Sequence, residues 1–323
     1  MRTWLTEQFD LTVPVVSAPM AGVAGGRLAA AVSAAGALGM IGVGSKSDPA
    51  WLDHQIDVAA AGEKPYGIGL MAWSLSRDAT PGMAVLKARP DLVSISFGDV
   101  EPWVAPMHDN GVAVAAQAGN LLEAFALEDM GVDIIVVRGA EGGGHGRNEV
   151  ATLPLLQAVL DNVDVPVLAA GGIGTARGLA AVLAAGAAGA WVGTAFTCCP
   201  EADTFAAAQD AIVAADLHDT TYGRIFDIVQ HVPWPAEFGG RSLRNEFTAA
   251  WAGREHELEA GSAAALAAGD QVAAAKVLGD TRYAPVYAGQ SAGLVQSRRP
   301  AAEVVADLAC AQEYLRAAAA LVG

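Results

Sequence analysis

Residues 134–147 combine an apolar run with a glycine-rich loop that ends in a histidine. Gly142, Gly143 and Gly144 stand directly before His145. Because glycine lacks a Cβ, three in succession let the backbone come close to a planar ligand or a phosphate. His145 is the first side chain after this gap that exchanges protons near neutral pH. It is our leading catalytic candidate.

Two later glycine-rich loops have the composition of an anion site. One contains Gly171, Gly172 and Ile173, and the other contains Gly193 and Thr194. If the strands before them are neighbours, the backbone amides of both loops converge on one phosphate. The Thr194 hydroxyl adds a donor. Arg177, in the helix that follows the first loop, is interpreted as a surface charge.

Polar or rigid residues also occur at the ends of earlier apolar runs. Pro19 and Met20 offer an apolar shelf to a flat ring. Gln117 is buried in an apolar run, where an unpaired amide costs about 1–3 kcal/mol, so it either has an internal partner or faces a ligand. For Ser94 and Ser96 we favour a structural role.

Several common catalytic motifs do not occur in the sequence. It contains no GxSxG elbow, no GxxxxGK[ST] loop and no HExxH pair, so the hydrolase, P-loop and zinc-protease interpretations lack their residues. The five other histidines lie among helix or turn signals and are expected to be surface or structural residues. We expect no metal site.

The elements that would position these residues alternate along the chain. Continuously apolar runs, each suited to a strand buried on both faces, alternate with alanine-rich stretches of helical length. Eight strands are predicted: Val13–Met20, Leu38–Gly44, Tyr66–Ala72, Leu92–Gly98, Val112–Ala118, Ile134–Gly139, Val165–Gly172 and Ala190–Phe196. Because the richest glycine loops follow the last three strands, we favour an α/β fold of the (β/α)₈ TIM-barrel type over a doubly wound sheet.

The composition of the sequence changes after residue 200. From Glu201 to Gly279 the chain is polar and helix-forming, with no obvious strand, and a terminal helix is predicted over Pro300–Leu321. We therefore expect a barrel over residues 1–200, an inserted helical cap over residues 201–284, and a return to the barrel over residues 285–323.

Composition restricts the partners. The 323 residues include 35 acidic and 19 basic side chains, a formal charge of −16, which disfavours nucleic acid and anionic membranes. We expect a cytoplasmic protein with a small-molecule substrate, and leave a homo-oligomer open. The three cysteines, Cys198, Cys199 and Cys310, lack metal-ligand spacing and are expected to be buried structural thiols.

Taken together, the motifs resemble those of the nitronate monooxygenase family. The resemblance rests on SAPMAG at residues 17–22, RGAEGGGH at 138–145, AAGGI at 169–173 and GAAGAWVGTAF at 186–196. RSLRNEFTAAW and AGQSAGLV, later in the chain, also look like family features. The superfamily includes FMN-dependent enoyl reductases and NADH:quinone reductases.

The resemblance implies a bound FMN and assigns its surroundings. Its phosphate would lie on the loops that hold Gly172 and Trp191 to Thr194. Its ring would lie near Ala18, Pro19 and Met20. Arg138 and Gly143 would also lie near the ring, and Val192 and Gly193 belong to the second phosphate loop. From the residue patterns described above, Gln117, Gly171 and Ile173 are added as cofactor-binding candidates. His145 matches the catalytic histidine of the family.

This chain departs from the family pattern at two positions that bear on the substrate. Arg138 stands where relatives commonly have Gln, and would put a fixed positive charge near the flavin pyrimidine or the substrate. Gly69 replaces Asn, which removes an amide and would leave room for a larger ligand. Both changes hint at an anionic substrate or a CoA thioester.

Three functions are compatible with these observations. The first is an FMN-dependent oxidoreductase that oxidises alkyl nitronates with O2. The second is a flavin reductase that uses NADH or NADPH to reduce an enoyl thioester, a quinone or a ring-degradation intermediate. The third is a non-redox barrel that binds a phosphate ligand.

Overall fold

The computed structural model describes residues 1–258 and 261–321. Within them the chain forms eleven strands: β1 Val15–Ser17, β2 Gly39–Gly42, β3 Tyr66–Met71, β4 Leu92–Ser96, β5 Ala113–Ala118, β6 Ile134–Arg138, β7 Gly144–Gly146, β8 Val167–Ala170, β9 Gly189–Val192, β10 Thr220–Gly223 and β11 Gly239–Leu243.

Eight of these strands form the predicted barrel. β1–β6, β8 and β9 pair in parallel in the order β1-β9-β8-β6-β5-β4-β3-β2. The ring closes between β1 and the start of β2, where Ser17 N donates to Leu38 O and Leu38 N donates to Val15 O, both at 2.9 Å. The α/β barrel is therefore confirmed.

The barrel strands are buried on both faces, which accounts for their continuous apolar sequence. In β6, Ile134 and Val136 pack in a cluster inside the barrel, whereas Ile135 and Val137 pack outward against the helices. Successive side chains of a strand point to opposite faces, so both sets must be apolar. Leu5 and Phe9 belong to the inner cluster.

Helices surround the barrel and fill the later part of the chain. The α-helices of the described residues are α1 Trp4–Gln8, α2 Gly26–Ala34, α3 Pro49–Ala60, α4 Ala72–Leu75, α5 Thr80–Ala88, α6 Glu101–Asp109, α7 Leu121–Asp129, α8 Thr152–Leu160, α9 Ala176–Ala184, α10 Thr194–Thr197, α11 Ala206–Ala214, α12 Ile225–Val229, α13 Glu246–Trp251, α14 Ala263–Leu278, α15 Ala301–Ala309 and α16 Ala311–Ala319. Short 3₁₀ turns occur at Glu255–Glu257 and Gln290–Leu294.

Most predicted strands are longer than the observed ones, and two predicted elements contain a break. The strand expected over Ala190–Phe196 ends at Val192, because Thr194 begins α10. The helix expected over Pro300–Leu321 is divided into α15 and α16 at Cys310. There Cys310 N donates to Asp307 O, a tighter bond than that of an α-helix, which redirects the chain.

The prediction that residues 201–279 contain no strand is wrong. β10 and β11 pair antiparallel, and β11 continues the sheet by pairing with β7, which carries His145. β11 begins with two glycines because the space beside it is filled. A Cβ on Gly239 would lie 2.7 Å from the Tyr222 ring, and one on Gly240 would lie 2.8 Å from the Tyr287 ring. Residues 201–284, called the insertion below, thus combine helices with a small sheet.

The cysteines occupy two environments. Cys198 and Cys199 are buried, and burial raises the pKa of their thiols to about 11 and about 12. Cys310 is exposed at the break between α15 and α16, so the expectation of a buried thiol is wrong there. Among the described residues no cluster of His, Cys, Asp or Glu could hold a metal ion. None of the helices in this part of the chain has the length and apolar character needed to cross a membrane.

Candidate active site

A cavity of about 550 Å³ lies at the carboxyl ends of the barrel strands and continues beneath the insertion. All predicted site residues except Val192 line it: Ala18, Pro19, Met20, Gln117, Arg138, Gly143, His145, Gly171, Gly172, Ile173, Trp191, Gly193 and Thr194. Val192 is fully buried in the outer cluster, since its side chain points away from the barrel axis while that of Trp191 points inward. Its side chain therefore lies outside the cavity.

His145 is held in a strand rather than a loose loop. β7 pairs with β11 so that His145 lies opposite Gly240. Its Nε2 lies 2.8 Å from Oδ1 of Asp227, and the two side chains are 12% and 4% exposed. The imidazole is therefore fixed by a buried carboxylate of α12.

An aromatic group contributed largely by the later part of the chain surrounds the imidazole. The Trp234 ring stacks on it with centroids 3.8 Å apart and planes 4° apart, and the Tyr287 ring lies 5.3 Å away. Phe97 supports Trp234 at 5.1 Å. Burial, and after it the charge of Asp227, raise the pKa of Tyr287. Its phenol stays protonated near neutral pH and lines the cavity as a hydrogen-bond donor.

Arg138 organises the glycine loop. Its Nη2 donates to the carbonyls of Gly142 at 2.6 Å and Gly144 at 2.9 Å, and its Nη1 donates to that of Arg147 at 3.0 Å. Burial lowers its pKa to about 10, so it remains charged near neutral pH. The expectation of a cation directed at the ligand needs correction, because these guanidinium donors bind the carbonyls that shape β7 and its flanks.

The two glycine-rich loops present unpaired amides to the same cavity. Among the described residues, the backbone N–H groups of Gly172, Ile173, Gly193 and Thr194 have no acceptor. Gly171 and Gly172 have φ of 108° and 72°, in the left-handed region that glycine tolerates best. The Thr194 Oγ1 accepts a bond of 3.0 Å from Gly289 N, which leaves its proton available to a ligand. These donors therefore face the same cavity, where the sequence predicts an anion site.

The end of β1 and the middle of β3 are packed together. A Cβ on Gly69 would lie 2.3 Å from both Cβ and Cγ of Pro19. The Pro19 ring therefore fills the space beside Gly69, and the expectation that glycine leaves room there for a larger ligand is wrong.

The polar residues of the strands divide between two roles. Ser96 Oγ accepts a bond of 3.0 Å from Gln117 N, which is a structural role, but Ser94 and Ser96 both line the cavity as well. The Gln117 side chain lines the cavity and has no hydrogen-bond partner within the described residues. Arg177 stacks over Tyr314 at 4.5 Å and does not line the cavity. The Gln117 amide therefore faces the cavity.

Sequence reasoning missed the residues that the insertion and the segment after it bring to His145. Asp227, Trp234 and Tyr287 line the cavity, and so does Lys276, whose Nζ donates to Gln230 Oε1 at 2.8 Å. The tryptophan between Pro233 and Pro235 was the one visible signal, since an aromatic residue in a proline-rich turn is unusual. No motif in the sequence around Asp227 indicated that this residue would contact His145.

Comparison with known proteins identifies the family to which this chain belongs. A family model described as "Nitronate monooxygenase" matches residues 2–80 and 80–311. The chain belongs to the nitronate monooxygenase family. It is therefore an oxidoreductase, as the motif resemblance implied. The nitronate monooxygenase of Paraburkholderia phytofirmans is 32% identical, and the match covers 91% of each chain.

Two further relatives differ in the substrate that their names indicate. A nitroalkane oxidase from Streptomyces ansochromogenes is 29% identical, with a TM-score of 0.80 over 97% of this chain and 99% of its own. A (3aS,4S,5R,7aS)-5-hydroxy-7a-methyl-1-oxo-octahydro-1H-indene-4-carboxyl-CoA dehydrogenase from Rhodococcus jostii is 35% identical over 72% of this chain and 65% of its own. Similarity to family members thus extends to proteins named for nitro compounds and for a CoA-linked compound.

Proposed function

We propose that this protein is an FMN-dependent oxidoreductase that oxidises alkyl nitronates with O2. One observation carries the proposal: a single cavity at the carboxyl ends of the barrel strands contains both the unpaired amides of the two glycine loops and the fixed imidazole of His145. In barrels, the loops after the last strands commonly bind phosphate, and the same face carries the catalytic residues. Family membership supports the reaction type.

The residues of the cavity fit FMN. The amides of Gly172, Ile173, Gly193 and Thr194 would hold the phosphate, since an unpaired amide next to a cavity calls for an anionic acceptor. Ala18 to Met20, Gly143 and the Gln117 amide would border the ring system. The cavity volume lies within the range typical of cofactor sites. When bound, FMN supplies the electron acceptor for the substrate.

The protein's own groups supply positioning and proton handling. Trp234 and Asp227 keep the imidazole of His145 in one orientation at the cavity wall. The Tyr287 phenol remains a donor beside it. The cavity wall also includes Phe97 and Trp234, which exclude water from the reacting end of a small alkyl substrate.

Gly172→Val tests the phosphate seat. A branched residue at a φ of 72° is strained by about 1–3 kcal/mol, so we expect FMN to bind about 5- to 150-fold more weakly as the loop distorts. Fluorescence titration of the apoprotein with FMN measures this. Gly131→Val is the matched control, because Gly131 has a φ of 81° after α7 and lies outside the cavity. Equal FMN affinity in the two variants would contradict the assignment of the FMN phosphate to the Gly172 loop.

A second candidate is an NAD(P)H-dependent flavin reductase acting on a CoA thioester or another anionic electrophile. The Rhodococcus relative named for a CoA compound favours it. So does Lys276, a cation on the cavity wall of a chain whose net charge is −16. Partial burial, and after it the charge of Lys46, lower the pKa of Lys276.

An anaerobic visible spectrum of the purified protein discriminates between the candidates. We expect bound flavin whose absorbance is bleached by propyl 2-nitronate and not by NADH or NADPH. Bleaching by a pyridine nucleotide alone would replace the proposal with the reductase. A colourless protein that gains no flavin absorbance on addition of FMN would overturn both and leave a barrel that binds another phosphate ligand.

A further inference from the structure

The side chain of Asp227 is a buried carboxylate that contacts His145. Its side chain is 4% exposed, and within the described residues its carboxylate makes one hydrogen bond, to Nε2 of His145 at 2.8 Å. A buried carboxylate is costly unless a donor compensates it. The imidazole is that donor, since Nε2 lies at hydrogen-bond distance and is the ring atom that faces Asp227.

The remaining contacts fix the plane of the ring and leave its other nitrogen open. Trp234 covers one face at 3.8 Å, and a Cβ on Gly240 would lie 3.4 Å from Cε1 and Nε2. Nδ1 has no hydrogen-bond partner in the described part of the chain. It is not among the buried polar atoms that lack one, so it remains accessible. His145 lines the cavity, which is where a substrate would reach it.

We propose that Asp227 is a positioning residue that keeps His145 in the Nε2–H tautomer, so that Nδ1 is the atom that accepts the substrate proton. This inference rests on the proposed function for the identity of the substrate, which in this step is the neutral nitroalkane, because the nitronate has already lost the proton. The α C–H bond of the nitroalkane breaks, its electron pair stays on the carbon to give the nitronate, and an N–H bond forms at Nδ1. The resulting imidazolium is held against the Asp227 carboxylate. A carboxylate that sets the tautomer of a catalytic histidine is established for the serine-protease triad.

The competing interpretation is that Asp227 only ties α12 to β7. A structural tie would also be weakened by substitution, so loss of activity alone does not separate the two interpretations. Asp227→Asn does separate them, because the side chain keeps its shape but its amide can donate to Nε2. The favoured neutral tautomer then becomes Nδ1–H, which blocks the accepting atom while the contact is retained.

Histidine ¹⁵N spectra test the tautomer without any turnover. We expect the neutral ring of His145, assigned by its disappearance in His145→Ala, to be protonated at Nε2 in the unmodified protein and to shift to Nδ1 in Asp227→Asn. The matched control is Asp133→Asn, which changes an exposed pair of the same geometry, His108 Nε2 to Asp133 Oδ2 at 2.8 Å. An unchanged His145 tautomer in Asp227→Asn would overturn the proposal, whether or not nitronates are substrates.

Kinetics with propyl 2-nitronate and with the parent nitroalkane, whose C–H proton must be removed, complete the test. We expect Asp227→Asn to lower kcat for the nitroalkane by about 10²–10⁴, the range for loss of a general base, because the accepting atom is then protonated. KM should stay within about threefold, and Asp133→Asn should act as the unmodified enzyme does. In a His145→Ala background, Asp227→Asn should cost nothing further. An equal loss with and without His145 would mark Asp227 as a purely structural tie. If neither compound is turned over, the nitronate proposal fails while the tautomer measurement still decides the role of Asp227.

Discussion

With a neutral nitroalkane as substrate, turnover by His145→Ala should fall by about 10²–10⁴ while FMN stays bound. The size of the loss is that of a general acid or base, and the phosphate amides lie on β8 and β9 loops that the imidazole does not contact. Activity assays together with the visible absorbance of the purified variant measure both quantities. His108→Ala is the control, because His108 makes an equally short contact with a carboxylate, Asp133, on the surface.

Two other results would contradict this role. Loss of flavin together with activity would mean that His145 holds the cofactor loop in place. Full activity without the imidazole would move the proton-handling role to Tyr287, the protonated phenol nearest to it.

Arg138→Gln should destabilise the protein by about 2–6 kcal/mol and lower kcat by about 10²-fold. The substitution removes the guanidinium that binds the carbonyls of Gly142, Gly144 and Arg147. A Gln amide that replaces one of these bonds leaves two carbonyls unpaired, at a cost of about 1–3 kcal/mol each. The activity loss follows because β7 carries His145, and a displacement of about 1 Å costs about that factor. Chemical denaturation and steady-state kinetics measure the two effects.

Arg177→Gln is the control for this variant, since Arg177 stacks on Tyr314 away from the cavity. The comparison is informative because Gln is the residue that the family resemblance leads one to expect at position 138. A stable and active Arg138→Gln variant would mean that the loop keeps its shape without the guanidinium.

The barrel could be predicted because each of its strands is a short, continuously apolar run, which can be recognised from neighbouring residues alone. Ile134 to Val137 read as one buried run whether a side chain points inward or outward, so the strand was identified without knowing its partners. The glycines that follow α2, α7 and α9 were equally clear, since Gly36, Gly131 and Gly186 all have the left-handed backbone expected of helix ends.

The small sheet of the insertion could not be predicted in the same way. β11 begins Gly-Gly-Arg, which has low strand propensity, and it is stabilised by pairing with β7, more than ninety residues earlier in the chain. Pairing over such a separation leaves no local pattern. Asp227 and Trp234 were missed for the same reason. Their role follows from contacts with His145, which lies more than eighty residues earlier in the chain.

The interpretations of Arg138 and Gly69 needed correction because the sequence does not give side-chain direction. The family resemblance assigned Arg138 to the flavin or the substrate; it lines the cavity, but its guanidinium donates to the carbonyls of its own loop. Gly69 was read as empty space, but that space belongs to Pro19. Sequence gives the position of a residue along a strand, whereas the direction of a long side chain or the filling of a gap depends on neighbours that are distant in sequence.

The pairing of β7 with β11 makes catalytic competence a property of two segments that meet late in the sequence. The histidine is encoded in the barrel, but the strand that fixes it and the carboxylate and indole that hold its ring are encoded 80 to 100 residues further on. A nascent chain that has completed all eight barrel strands therefore has the glycine loops of the proposed phosphate site before His145 has the partners that fix its ring. We expect unfolding of residues 201–284 to release His145 and to abolish activity.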